Sequence, residues 1–167
     1  LASQDALESD ALKTITPAAV PGFLPEETRA LLQKHRVEEQ KLTDAIQRFT
    51  GGHPLLVEMA GQEAQAGRLQ AHEIEKAILA KKEADEWLFA HVMERLPKAL
   101  QQAAQWAALL RGFNHDSLSR LLEPFEIKLD EPQFRRLERM SFVLRDAGRF
   151  SCHDLIRHMQ HRRQSER

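Results

Sequence analysis

The sequence predicts a mainly α-helical chain: a helical bundle followed by a second unit in which three helices lead into one small β-hairpin and a last helix. Three observations predict it. Apolar residues recur every three to four positions through most of the chain from residue 25 onward. Strand-forming residues are sparse, with no Tyr and an abundance of Ala, Leu, Glu, Gln, Lys and Arg. The period shortens only once with turn residues in the middle, in "FVLRDAGRFSC", Phe142 to Cys152.

Residues 1–22, including "LKTITPAAVPG", show little periodicity and carry two prolines, so they predict an extended lead-in segment or short strand. A helix starts at Pro25, where a missing N–H costs nothing, and Glu26 and Glu27 suit the positive end of its dipole. It runs to about Lys34. The next spans about Glu38 to Phe49, with Leu42, Ala45, Ile46 and Phe49 on one stripe. Thr50-Gly51-Gly52 stops it, and Pro54 opens a third that runs to about Ala66. Helices follow over 72–80 and 84–95. Leu96, Leu100, Ala103, Ala107 and Leu110 mark a strongly amphipathic helix after Pro97, broken by Gly112. Asn114 is a good N-cap for Asp116–Leu122. The "EIKLDEP" stretch reads as loop, and Glu131 to Met140 as helix. The hairpin follows, with Asp146-Ala147-Gly148 as its turn, and a final helix begins near His153.

Three helices plus a small hairpin is the winged-helix order. The chain therefore divides into a lead-in (1–22), a helical unit (23–83) and a winged-helix unit (84–167). The whole carries a net charge of −1. Residues 1–96 hold 11 basic and 16 acidic side chains, net −5, whereas residues 97–167 hold 13 and 9, net +4. The basic second half keeps nucleic acid open as a partner. Cys152 is the single cysteine. It excludes an internal disulfide and a multi-cysteine metal site, and with no signal peptide or membrane-length apolar run it predicts a cytoplasmic protein. No Ser/His/Asp arrangement or reactive cysteine setting points to covalent catalysis.

Two motifs carry a resemblance. "TGGHPLLVEMA" resembles the Gly-x-Pro motif of the STAND-class NTPases, the signal-transduction ATPases, and "RFSCHDLIRHM" resembles their Met-His-Asp motif, with Cys152 where Met is usual. "MERLPKALQQAAQWAALL" and "LERMSFVLRDAGRFSCHDLIR" are similar to the opening and closing segments of the family's winged-helix domain. The resemblance covers about residues 14–163. It implies that residues 23–83 are the small helical lid that follows a nucleotide-binding domain, and that Gly52, His53 and Pro54 wall a nucleotide pocket, the proline against adenine. It implies further that His153 touches the β-phosphate of ADP, with Asp154 capping or supporting the first turn of its helix. The chain has no G-x-x-x-x-G-K-[ST] loop and no acidic strand end for magnesium. It is therefore expected to be no enzyme by itself. It should be the regulatory part of a larger ATPase, of a bacterial signalling or transcription-related kind, that contacts ADP or ATP held by its own upstream NTPase domain and governs activation and oligomerisation.

Two rival chemistries arise from the same residues. A winged helix can read DNA through its third helix, here with Gln133, Arg135, Arg136 and Arg139, and through its wing, with Arg145 and Arg149. Glu131 and Glu138 interrupt that basic face. Metal phosphohydrolases use His-Asp pairs, present here at His115-Asp116 and His153-Asp154, and Asp154, His158 and His161 share a helical face. No believable set of further ligands accompanies them, so no metal is expected. A pure interaction module is the remaining alternative.

Overall fold

The computed structural model describes residues 21–146 and 148–165, so nearly all of the predicted lead-in lies outside the described residues. Among them the order is α1 (Pro25–Lys34), α2 (Gln40–Thr50), α3 (Pro54–Gln65), α4 (Ala71–Leu79), α5 (Ala84–Met93), α6 (Lys98–Ala107), α7 (His115–Leu122), a short 3-10 turn at Glu123–Phe125, α8 (Glu131–Glu138), β1 (Val143–Asp146), β2 (Arg149–Cys152) and α9 (Asp154–Ser165). The protein is mainly helical with one small two-stranded antiparallel sheet.

Local chemistry explains most boundaries. Glu27 accepts the Leu24 N–H at 2.8 Å, closing the first turn of α1. Glu73 does the same for the Gln70 N–H at 2.9 Å at the start of α4. Asn114 accepts the Ser117 N–H at 2.8 Å and donates its own N–H to the Ser117 hydroxyl at 2.9 Å, so α7 begins with a reciprocal cap. Asp130 and Gln133 repeat the device at α8, with bonds of 2.7 and 3.2 Å.

In the hairpin, Val143 lies opposite Cys152 and Asp146 opposite Arg149. Phe113, between α6 and α7, adds a single antiparallel bridge on the other side of β2. It exchanges N–H···O bonds of 2.7 and 2.8 Å with Phe150. This pairing accounts for the early end of α6. The apolar stripe continues to Leu110, but the chain tightens after Ala107 through Leu109-to-Trp106 and Leu110-to-Ala107 backbone bonds. The tightening brings Phe113 to the sheet. The "EIKLDEP" loop is likewise more anchored than its composition implies, because Ile127 and Leu129 are buried.

One contiguous apolar cluster runs through the molecule, from Leu32, Ile46 and Met59 to Leu100, Leu118, Leu137 and Met159. Phe89 of α5 meets Phe142, just before β1, edge to face with ring centroids 5.5 Å apart. Burying side chains of this size contributes roughly 2–3 kcal/mol each. At the surface, Arg162 of α9 reaches Asp85 of α5 at 3.2 Å. The last helix is thereby held against the middle of the chain, and that packing positions the site described next.

Candidate functional site: a cavity between two helix starts

The double glycine builds one side of the site. Thr50 donates its hydroxyl to the Ile46 carbonyl at 2.8 Å and accepts the Gly52 N–H at 3.2 Å. The chain then takes two left-handed steps, Gly51 at φ +59° and Gly52 at φ +74°. Gly52 is buried beneath residues 22–24. A Cβ there would stand 2.2 Å from the Phe23 carbonyl oxygen, so only hydrogen fits. The Phe23 N–H donates to the Gly52 carbonyl at 2.7 Å, and the Gln47 side-chain amide donates to the Phe23 carbonyl at 3.1 Å. The Gln47 amide oxygen is in turn bonded by the Thr28 hydroxyl. Pro54 pushes the residue before it into extended geometry, and His53 adopts φ −61°, ψ 119°. His53 is thus the N-cap residue of α3, its carbonyl accepting the Val57 N–H at 2.9 Å.

The far end of the chain supplies the other side. The His153 N–H donates to the Phe142 carbonyl at 2.8 Å, which fixes where β2 passes into α9. The His153 carbonyl accepts the Ile156 and Arg157 N–H groups at 3.0 and 3.1 Å. Its ring nitrogen Nδ1 accepts the Leu155 N–H at 3.2 Å. The capping side chain is therefore His153. Asp154 serves the first turn instead, taking Arg157 at 3.1 Å. An Nδ1 that accepts must carry a lone pair, so the neutral ring bears its proton on Nε2 and offers a donor there. Burial pushes the His153 pKa below its ordinary value, the neighbouring His53 pushes it further in the same direction, and Asp154 opposes both.

The two histidines face each other edge to face, with ring centroids 6.1 Å apart and planes at 75°. Together with Pro54, Leu55, Thr50, Gly51 and Gly22 they line one concavity of about 460 Å³. Of the sequence-predicted residues, His53, Pro54 and His153 are brought together there. Gly52 lies behind them under Phe23, and Asp154 stays exposed with Arg157. The contribution of Gly22 was not foreseen. No local pattern announces that residues 21–24 fold back over a glycine turn some thirty positions later.

The predicted DNA contacts are differently placed. Gln133 is engaged in the α8 cap, Arg135 pairs with Glu131 at 3.2 Å, and the Arg145 guanidinium sits 5.8 Å over the Phe150 ring. Arg136 and Arg139 line a cleft shared with Met59, Gln62 and Arg68 of the first half. Arg149 borders a hollow with Arg111 and Asp146. Cys152 is buried, and burial raises its thiol pKa to about 12, which leaves it protonated and inert. His115 donates from Nε2 to the Leu129 carbonyl at 3.2 Å, and its Nδ1 lies 3.7 Å from Asp116. Among the described residues, no three His, Cys, Asp or Glu side chains converge in a way that would hold a metal ion. No helix among them is long and apolar enough to cross a membrane. Comparison with family models, with curated proteins and with solved structures gave no match.

Proposed function

We propose that this chain is the regulatory segment of a STAND-type ATPase, a helical lid followed by a winged-helix domain. It would close on a nucleotide held by a domain upstream of it. The observation that carries the proposal is the shared cavity: Pro54 and His153, distant in sequence, border the same hollow. Pro54 offers a flat apolar ring for a purine. His153 offers a donor at Nε2 for a phosphate oxygen. The cavity also opens beside Gly22, so the chain leading in from the upstream side arrives at its rim. The residue order of the second half supports the winged-helix reading, because α6, the Phe113 bridge, α7, α8 and the hairpin follow the sequence such domains use.

In this proposal the segment performs no hydrolysis. ADP and ATP would differ in what they offer His153, and that difference would bias whether the winged helix stays docked. A duplex-reading role has weaker support, since Gln133, Arg135 and Arg145 already have partners within the chain. Two measurements test the proposal. The coding sequence upstream of Leu1 should contain a phosphate-binding loop within about one domain's length, roughly 100–200 residues. In the parent protein, a photoreactive ADP analogue should label the peptide containing Pro54, and His153→Ala should speed nucleotide exchange. A parent without a phosphate-binding loop, or label confined to other peptides, overturns it.

A further inference from the structure

We propose that His53 is a second anion-binding imidazole, and that His53 and His153 together grip the polyphosphate end of whatever occupies this cavity. The inference rests on the nucleotide reading above and extends it to a residue that reading uses only as part of a wall. Four observations carry it. The two rings meet edge to face, with centroids 6.1 Å apart, and both line the same cavity. His53 Nδ1 is shielded from solvent and has no hydrogen-bond partner among the described residues, so a turn of the ring toward the hollow is what brings it to a bound acceptor. Each histidine is the residue from which a twelve-residue helix departs, α3 and α9, so the positive ends of two helices lie beside the same hollow. The Leu155 N–H occupies the His153 Nδ1 lone pair, which leaves an N–H donor at Nε2.

That last contact also decides the sign of the ligand. A metal ion bound at Nε2 would require the proton to move to Nδ1, directly against the Leu155 N–H. An anion requires no such change. Asp154 is exposed and paired with Arg157, and residues 21–24, Thr50, Gly51 and Leu55 contribute no charge. The neutral His153 ring can therefore donate its Nε2–H to an anion without taking up a proton.

The test follows imidazole signals of this chain by NMR during titration with pyrophosphate, ADP and adenosine across neutral pH. Pyrophosphate and ADP should shift the ring signals of both histidines. His53→Gln should weaken pyrophosphate roughly tenfold, the worth of one charge-assisted hydrogen bond, while leaving adenosine binding unchanged. His53→Phe, which keeps the ring's bulk, should do the same and separates lost chemistry from lost packing. If ADP and pyrophosphate move His153 alone, His53 is no ligand, although the nucleotide proposal stands. If adenosine perturbs Pro54 and Leu55 but about 10 mM pyrophosphate moves neither ring, the anion grip is wrong while the base wall survives. Zinc shifting both rings in preference to pyrophosphate would overturn the anion assignment.

Discussion

Gly51 and Gly52 are neighbours and both left-handed, yet they should respond differently to alanine. At Gly51 an added Cβ meets nothing within 4 Å, so only the backbone preference is lost. Gly51→Ala is expected to cost about 1 kcal/mol in urea unfolding. At Gly52 the same carbon would collide with the Phe23 backbone, which is bonded to Gln47 and cannot simply retreat. Gly52→Ala should cost about 3 kcal/mol or more and speed hydrogen exchange at the Phe23 amide. Equal costs at both positions would show that residues 22–24 are not held against the turn. His153 gives a pH prediction. Its folded pKa lies below the unfolded value of about 6.5, so the unfolded chain binds the extra proton. Its contribution is undiminished above that pH and is lost as pH falls toward the folded pKa. His153→Gln should flatten the stability profile below pH about 6.5 and leave it unchanged above.

At the scale of elements, Asn114 and Asp130 each close a helix start with a reciprocal pair of bonds. Asn114→Ala and Asp130→Ala should each lower stability by about 1 kcal/mol, visible as a shifted thermal midpoint without loss of helical circular dichroism. The Asn114 cap was legible in advance because it depends on residues three apart, whereas Asp130 was read only as part of the loop before α8. The prolines that open α1 and α3, the glycines that close α2, and the hairpin between Val143 and Cys152 were legible too. The bridge from Phe113 to Phe150 was not legible, because it joins residues far apart through backbone groups that every residue possesses. The same reason hid the early end of α6. In the site, the residue types at 53, 54 and 153 could be singled out from their motifs. Their convergence depends on α9 packing on α5 and on residues 21–24 covering Gly52, and neither follows from local pattern.

For the whole molecule, the continuous apolar cluster and the Phe89–Phe142 contact imply that the two halves melt together. The tryptophans make this measurable. Trp87 packs on Phe49 at 5.4 Å and reports the junction with the first half. Trp106 stacks on Phe125 at 4.7 Å and reports the second. Trp87→Phe and Trp106→Phe, each leaving one fluorophore, should show coincident urea transitions that match circular dichroism. Separate midpoints would mean that the halves are independent folding units.

The strap formed by the Phe23–Gly52 hydrogen bond has a mechanical corollary. A tug on the chain ahead of Gly22 is borne first by that bond and by the Gln47 contact behind it. Both are fastened to the corner from which His53 and Pro54 project. Traction from that direction would thus bear on one wall of the hollow through the double-glycine bend.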